Sequence, residues 1–190
     1  MRYILLLLIC LITAPSFSQF KAGLTLDALF PKSQSVEGAT EVESDLGYKV
    51  GVLASYQICS FISLNSGMTT GQIGRRYSIG VIGINGRTKK TAVDCRYNII
   101  GIPAYIEVSD YTKNLSPFFD FGIEKQFATE AGYSSNQTCY LGAFGLLKRA
   151  GSVDLRFAIK YTADAKGKDS SLGINYFGLG FSFLYRFKHN

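Results

Sequence analysis

The sequence predicts an all-β fold: a closed, antiparallel, eight-stranded up-and-down transmembrane β-barrel that follows an N-terminal signal peptide. Three observations predict it. Segments of strict apolar/polar alternation, the two-residue period of a strand, recur along the chain. Clusters of Gly, Ser, Asn and Lys separate them, with no helical periodicity and no later apolar run long enough for a spanning helix. The connections alternate between long and short, as in bacterial outer-membrane barrels.

The chain opens with Arg2 and the apolar run "ILLLLICLI", Ile4 to Ile12. "TAPSFS" follows and offers Ser16 and Ser18 as small residues before a cut at Gln19. This is the pattern of a secretory signal peptide over 1–18, leaving a barrel domain over 19–190. The run is well short of the roughly 20 apolar residues of a spanning anchor.

The first strand is "FKAGLTLDALF", with Phe20, Leu24, Leu26 and Phe30 on one face and Lys21, Thr25 and Asp27 on the other. The second, "GYKVGVLASYQI", sets Tyr48, Val50, Val52 and Tyr56 against Lys49, Ser55 and Gln57. A tight link at Cys59-Ser60 leads to the third, "FISLNSGMTTGQIG", which continues to about Ile84. Asn85-Gly86 is a strong hairpin signal, because a type I′ turn needs positive φ at both central residues. The fourth strand returns from about Thr88 through "YNIIGIPAYIEV", with a bulge expected at Pro103, which lacks a ladder donor. The fifth, "SPFFDFGIEKQF", sets Phe119, Phe121 and Ile123 against Asp120, Glu124 and Gln126. The sixth, "TCYLGAFGLL", is apolar on both faces, and its register stays open. The seventh, "VDLRFAIKY", sets Val153, Leu155, Phe157, Ile159 and Tyr161 against Asp154, Arg156, Ala158 and Lys160. The eighth, "YFGLGFSFLYRF", sets Phe177 through Phe187 against Gly178, Gly180, Ser182 and Arg186. Residues 31–46, 127–137 and 164–173 are expected as long polar loops, and 59–60, 109–114 and 149–152 as short turns.

The polar face decides which side is inside. It carries Lys21, Asp27, Lys49, Glu107, Asp120, Glu124, Asp154, Arg156, Lys160 and Arg186, mixed with Gly, Ala, Ser and Thr. An eight-stranded barrel is just wide enough for side chains to fill, so these ten residues are expected as an interior ion-pair network. The bulky face, with Tyr near strand ends, suits lipid and its interfacial girdle. The rival is a soluble exported lipocalin-like barrel, whose bulky face would line a cavity for a lipid or other apolar ligand. The small residues of the polar face and the absence of Trp weigh against it.

The order of "SFSQ", "FKAGLTLDALF", "ISLNSGMTTGQIG", "IIGIPAYIEV", "PFFDFGIE" and "FGLGFSFLYRF" resembles the PorT-like outer-membrane β-barrel proteins of Bacteroidota. It resembles the small OmpX/OmpA-type barrels more loosely. The resemblance implies an outer-membrane location and no single activity. The chain departs from it at the end, where Lys188-His189-Asn190 follows the aromatic Phe187.

Catalytic patterns are scarce. His189, the only histidine, lies at the terminus, where no triad can hold an imidazole. Asp120 and Glu124 share a strand face and could do acid–base work, but a lumen-filling salt bridge explains them without a substrate. The expected protein is therefore no enzyme, binds no cofactor or metal, and is no open pore. The net charge of +6 is spread singly or in pairs, which suits a solvated surface and not nucleic acid. Three cysteines remain after export, and either a bridge between Cys95 and Cys139 or three buried thiols fits. "NQT" at Asn136 is a glycosylation sequon by pattern only. The partners expected are outer-membrane lipid, the assembly machinery of that membrane, and an envelope or secretion complex. The role expected is structural, adhesive or accessory.

Overall fold

The computed structural model describes residues 19–32, 39–82, 88–130, 133–165 and 175–187. Eight strands form one closed barrel in sequence order: β1 (Gln19–Pro31), β2 (Ala39–Gln57), β3 (Ile62–Ile82), β4 (Thr88–Ser109), β5 (Leu115–Glu130), β6 (Tyr133–Ala150), β7 (Val153–Asp164) and β8 (Tyr176–Arg186). Every neighbouring pair is antiparallel, and β8 closes on β1 from Lys21↔Arg186 to Pro31↔Tyr176. The signal-peptide segment, the Asn85-Gly86 turn and His189 lie outside the described residues.

The register fixes the barrel's dimensions. Starting at Lys21, the pairing passes through Ser55, Asn65, Tyr105, Gly122, Leu141, Thr162 and Tyr176 and returns to β1 at Pro31. The strand is re-entered ten residues on, a shear of ten. With the standard strand rise and spacing, eight strands at that shear tilt by about 40° and enclose a backbone radius of about 8 Å. Each residue then climbs about 2.5 Å along the axis, so about ten residues cross an apolar band about 25 Å tall.

Alternation puts the bulky residues outside on every strand. Leu24, Leu26, Val52, Leu64, Ile102, Phe121, Phe144, Phe157, Ile159, Phe181 and Phe183 are all exposed. Tyr56, Tyr185, Phe20 and Phe187 ring the belt near the short turns, and Tyr48, Tyr161, Phe177 and Phe30 ring it at the other end. Tilted ring contacts join Phe20 to Phe187 and Tyr161 to Phe177 across strands. On β6 the inward set is Cys139, Leu141, Ala143, Gly145 and Leu147, so Tyr140, Phe144 and Leu146 face out. Gly145 is small because the Phe118 ring lies against it: a Cβ there would sit 2.7 Å from its Cζ atom.

Three expectations change. The polar segments 31–46 and 127–137 are largely strand, since β2 begins at Ala39, β5 ends at Glu130 and β6 begins at Tyr133. Above an apolar band both strand faces meet water, so alternation fades while the hydrogen-bond ladder continues. Pro103 makes no bulge: the register is the same on either side of it, at Ser66↔Ala104 and Thr69↔Gly101. The Ser66 hydroxyl donates to the Pro103 carbonyl at 2.9 Å. The register shifts instead on β2, between Ala39 and Glu41 and between Asp45 and Tyr48. The bridge between Cys95 and Cys139 is not formed, because Cys139 is a free, buried thiol. It lies on β6, separated from β4 by the whole of β5. The side chain of Cys95 lies outside the described residues.

β2, β3 and β4 outrun the rest, at 19, 21 and 22 residues. β1 pairs β2 only as far as Leu29↔Gly47, and β5 pairs β4 only as far as Asn98↔Thr129. Beyond those points the three strands continue as a sheet of their own. The short connections and both ends of the barrel chain lie at the opposite end, where Gly151 supplies positive φ (60°) in the tight β6–β7 turn.

Candidate functional site

The inward positions of all eight strands converge on the lumen, and the ten charged residues of the polar face meet there. Eight of them are buried: Lys21, Asp27, Lys49, Glu107, Asp120, Glu124, Asp154 and Arg156. Lys160 and Arg186 are partly exposed, at 17% and 19% of their side chains.

They form three tiers. At the short-turn end, Asp154 on β7 gathers cations from three strands: Lys21 Nζ at 2.7 Å, Arg186 Nε at 3.1 Å and Arg149 Nε at 4.0 Å. Arg186 also donates to the Gly151 carbonyl. In the middle, Arg156 donates to Asp120 at 2.8 Å and pairs with Glu107, and it donates to the Tyr105 hydroxyl at 3.1 Å. Higher up, Lys160 donates to Asp27 at 2.6 Å and Lys49 to Glu124 at 2.5 Å. Tyr176, Gln126 and Gln137 extend this last pair, with Gln126 donating to the Tyr176 hydroxyl at 2.7 Å and Gln137 to Gln126 at 2.9 Å. Asp120 and Glu124, the candidate acid–base pair, belong to different tiers, and each is held by its own cation.

Apolar groups close both ends of the network. Leu29, Ile73, Ile99, Ala128 and Tyr176 cluster above the Lys49 tier. At the other end the β4–β5 turn folds Tyr111 into the barrel, beside Phe118, Leu147 and Ala158. Its hydroxyl bonds to Glu107 and lies 2.7 Å from the Ser63 hydroxyl. Lys21 lies over its ring, 4.5 Å from the centroid. The same turn is locked by Asp110, which accepts the Thr112 amide at 3.0 Å and the Lys113 ammonium at 3.1 Å. Thr112 and Lys113 hold the Asp110 carboxyl below its usual value, the Thr112 hydroxyl most of all.

A cavity of about 30 Å³ remains among residues such as Asp27, Lys49, Glu124 and Lys160. It has room for one or two waters, not a solute. A lipocalin-like site would need an apolar cavity large enough for a ligand, and this one, bordered by the Lys160–Asp27 and Lys49–Glu124 pairs, is too small. Among the described residues, no group of three or more His, Cys, Asp or Glu side chains is placed to hold a metal ion.

Sequence alternation placed the ten charges on one face but did not point to Tyr105, Tyr111, Phe118 and Tyr176. These inward aromatics break the simple rule of bulky outside and polar inside. The doublet Phe118-Phe119 was the available signal, since adjacent residues on a strand cannot face the same way. Asn136, the sequon residue, accepts a hydrogen bond from Lys125 at 3.1 Å on the outer face.

No family model and no curated protein matches the sequence. Solved structures match its fold. The outer membrane protein OprG of Pseudomonas aeruginosa aligns at a TM-score of 0.56 and 9% identity, covering 90% of this chain and 97% of that one. Neisserial surface protein A (NspA) aligns at 0.54 and 13% identity, covering 88% and 97%. Ail, the attachment invasion locus protein of Yersinia pestis, solved with the heparin analogue sucrose octasulfate, aligns at 0.50 and 10% identity, covering 90% and 97%. At these identities the likeness shows the fold: a small eight-stranded outer-membrane β-barrel.

Proposed function

We propose that the chain spans an outer membrane as a sealed barrel, reached through cleavage of its signal peptide, with both termini and the short turns in the periplasm. Its role is structural, adhesive or accessory to an envelope complex, and neither transport nor catalysis. The observation that carries this reading is the inverted polarity: rings and aliphatic chains surround the barrel while ion pairs fill it. So large an apolar belt has no stable place in water. In hydrocarbon, a closed barrel is the only arrangement of strands that pairs every backbone donor.

The part that could meet a partner is the β2–β3–β4 sheet, which continues beyond the apolar band. Arg76 on β3 and Lys90 and Arg96 on β4 are exposed there. Glu41 and Glu43 lie on the neighbouring strand, with Glu43 opposite Arg76. A surface of mixed sign suits attachment to another macromolecule, and Ail, named for attachment, shares the fold. The resemblance to PorT-like proteins adds an accessory role in an envelope complex to this reading.

Fractionation and conductance test it together. The protein is expected to need detergent, to shift mobility on heating, and to give no sustained single-channel current in planar bilayers. Recovery in the aqueous phase, or a steady conductance, would contradict the reading.

A further inference from the structure

The sheet that rises above the apolar band has two open edges. β1 leaves β2 at Leu29↔Gly47, and β5 leaves β4 at Asn98↔Thr129. Among the described residues, no strand lies beside residues 39–46 on the β1 side or beside residues 88–97 on the β5 side. An open edge is a template for another strand, and proteins usually blunt it. The β2 edge is blunted, because its register against β3 shifts between Ala39 and Glu41 and again between Asp45 and Tyr48. Such bulges twist an edge away from a partner. The β4 edge is straight. Its register against β3 is the same from Ile82↔Thr88 to Ile62↔Val108, and residues 88–97 include no proline.

The direction of its backbone groups follows from the other end of the strand. The Ser109 amide donates to the Phe61 carbonyl, on the β3 side. Along a strand, successive residues turn their amides and carbonyls to opposite sides. With no shift in register, the odd-numbered residues of β4 face β3 with these groups. Thr88, Lys90, Ala92, Asp94 and Arg96 turn theirs toward the open edge.

Charge then selects what can lie there. Across the sheet Glu43 pairs Arg76, and Arg76 pairs Asp94, a row of two acidic residues and one basic residue. Lys90, which is exposed, stands further along β4, opposite Gly80. A second copy laid antiparallel, with Ala92 on Ala92, brings its Lys90 beside Asp94, and the symmetry repeats the pair. Each row then reads Glu43, Arg76, Asp94, Lys90, with signs alternating and no net charge. Thr88 meets Arg96 at both ends. Sliding the copy by two residues sets Lys90 against Arg96 in one direction and leaves no ion pair in the other. Sliding it by four sets Lys90 on Lys90 or Asp94 on Asp94, and like charges directly opposite are destabilising.

We propose that the chain binds a second copy of itself on a facing membrane, by antiparallel pairing of the two β4 edges centred on Ala92. The proposal rests on the membrane reading given above and names the partner of its adhesive form. Two copies in one membrane cannot pair this way, since both β4 strands rise from it at a tilt of about 40°. Copies on facing membranes can, related by a twofold axis. On the shear-ten geometry Ala92 stands about 15–20 Å above the apolar band, so the two hydrocarbon layers stay about 35 Å apart. The joint exchanges about ten backbone hydrogen bonds. One such joint is weak, and many between two surfaces reinforce one another.

The mature protein is reconstituted in phosphatidylcholine vesicles and clustering is followed by light scattering. Heat-modifiable mobility checks that each variant is folded. The parent is expected to cluster vesicles. Lys90→Asp and Asp94→Lys each set like charges across the joint twice, and each alone should slow clustering about tenfold. Mixing vesicles of the two variants restores opposite charges at both pairs, so the mixture should cluster at close to the parent rate. Ala92→Pro removes a donor that faces the edge and none that β3 uses, so it should abolish clustering with the barrel intact. Inserted parent protein that clusters nothing would overturn the proposal and leave the membrane reading standing. So would clustering that survives Ala92→Pro, or a mixture no faster than either variant alone. A chain that stays in the aqueous phase, outside the vesicles, would overturn the membrane reading and the proposal with it.

Discussion

Removing Arg156 is the most informative single perturbation. It is 4% exposed, pairs with both Glu107 and Asp120, and stacks its guanidinium 4.5 Å from the centroid of Phe118. Neither Glu107 nor Asp120 has another cationic partner among the ion pairs of the described residues. Arg156→Met keeps most of the volume and removes the charge, leaving two carboxylates buried together. Breaking a buried pair costs about 3–5 kcal/mol, because the stranded charge has lost its solvent as well as its partner. Two stranded carboxylates place this variant at the upper end. Urea unfolding in detergent micelles, followed by the heat-modifiable band, measures the loss. Adding Glu107→Gln and Asp120→Asn is expected to recover much of it, since neutral groups of the same shape need no cation. An Arg156→Met barrel as stable as the parent would refute the claim that the lumen charges are held by one another. A triple variant no better than the single one would show that Arg156 matters for its packing on Phe118 and not for its charge.

Other sites give independent checks. A Cβ at Gly180 would sit 2.5 Å from Lys160 Cε and 2.6 Å from an Asp27 carboxylate oxygen. Gly180→Val is therefore expected to cost about 1–3 kcal/mol by overpacking, read from the same urea curves. Phe181 is exposed near mid-height of the belt, so Phe181→Arg should cost about 2–4 kcal/mol in a bilayer, whereas Phe181→Leu should be close to neutral. The Asp110 carboxyl is held low by Thr112 and Lys113, so it stabilises the β4–β5 turn above its unfolded pKa and loses this as pH falls through the lower folded value. Asp110→Asn should thus lower the melting temperature at pH 7 by more than at pH 2, and an equal loss at both would deny the carboxylate its role. Cys139 is buried and free, so peptide mapping should find it unlabelled by a thiol reagent in the folded barrel and labelled after heating.

Much of this architecture was readable as sequence because a membrane barrel writes its fold in a period of two. Phe157, Ile159 and Tyr161 could face only one way, and Asp154, Arg156 and Lys160 the other. The number of strands and the inward set of charges follow from that rule. Which charge meets which does not. Arg156 reaches Glu107 and Asp120 across the lumen, and Lys21 reaches Asp154 from β1 to β7, because the shear sets how far each strand slides past the next. Shear is a property of the closed ladder and leaves no local trace. The strand ends were obscured for a different reason: above the apolar band, segments such as Ala39–Asp45 have no lipid face to alternate against. The bulge before Tyr48 was hidden too, since one inserted residue in a polar stretch disturbs no visible pattern.

The central claim concerns which face meets hydrocarbon, and nitroxide accessibility measures that directly. Spin labels at Leu26→Cys, Ile159→Cys and Phe181→Cys, in a chain with its native cysteines replaced, are compared for collisions with oxygen and with a water-soluble nickel chelate. All three labels are predicted to collide readily with oxygen, which concentrates in the bilayer, and hardly at all with the chelate. Free collision with the chelate at these positions would place the apolar belt in water and contradict the account.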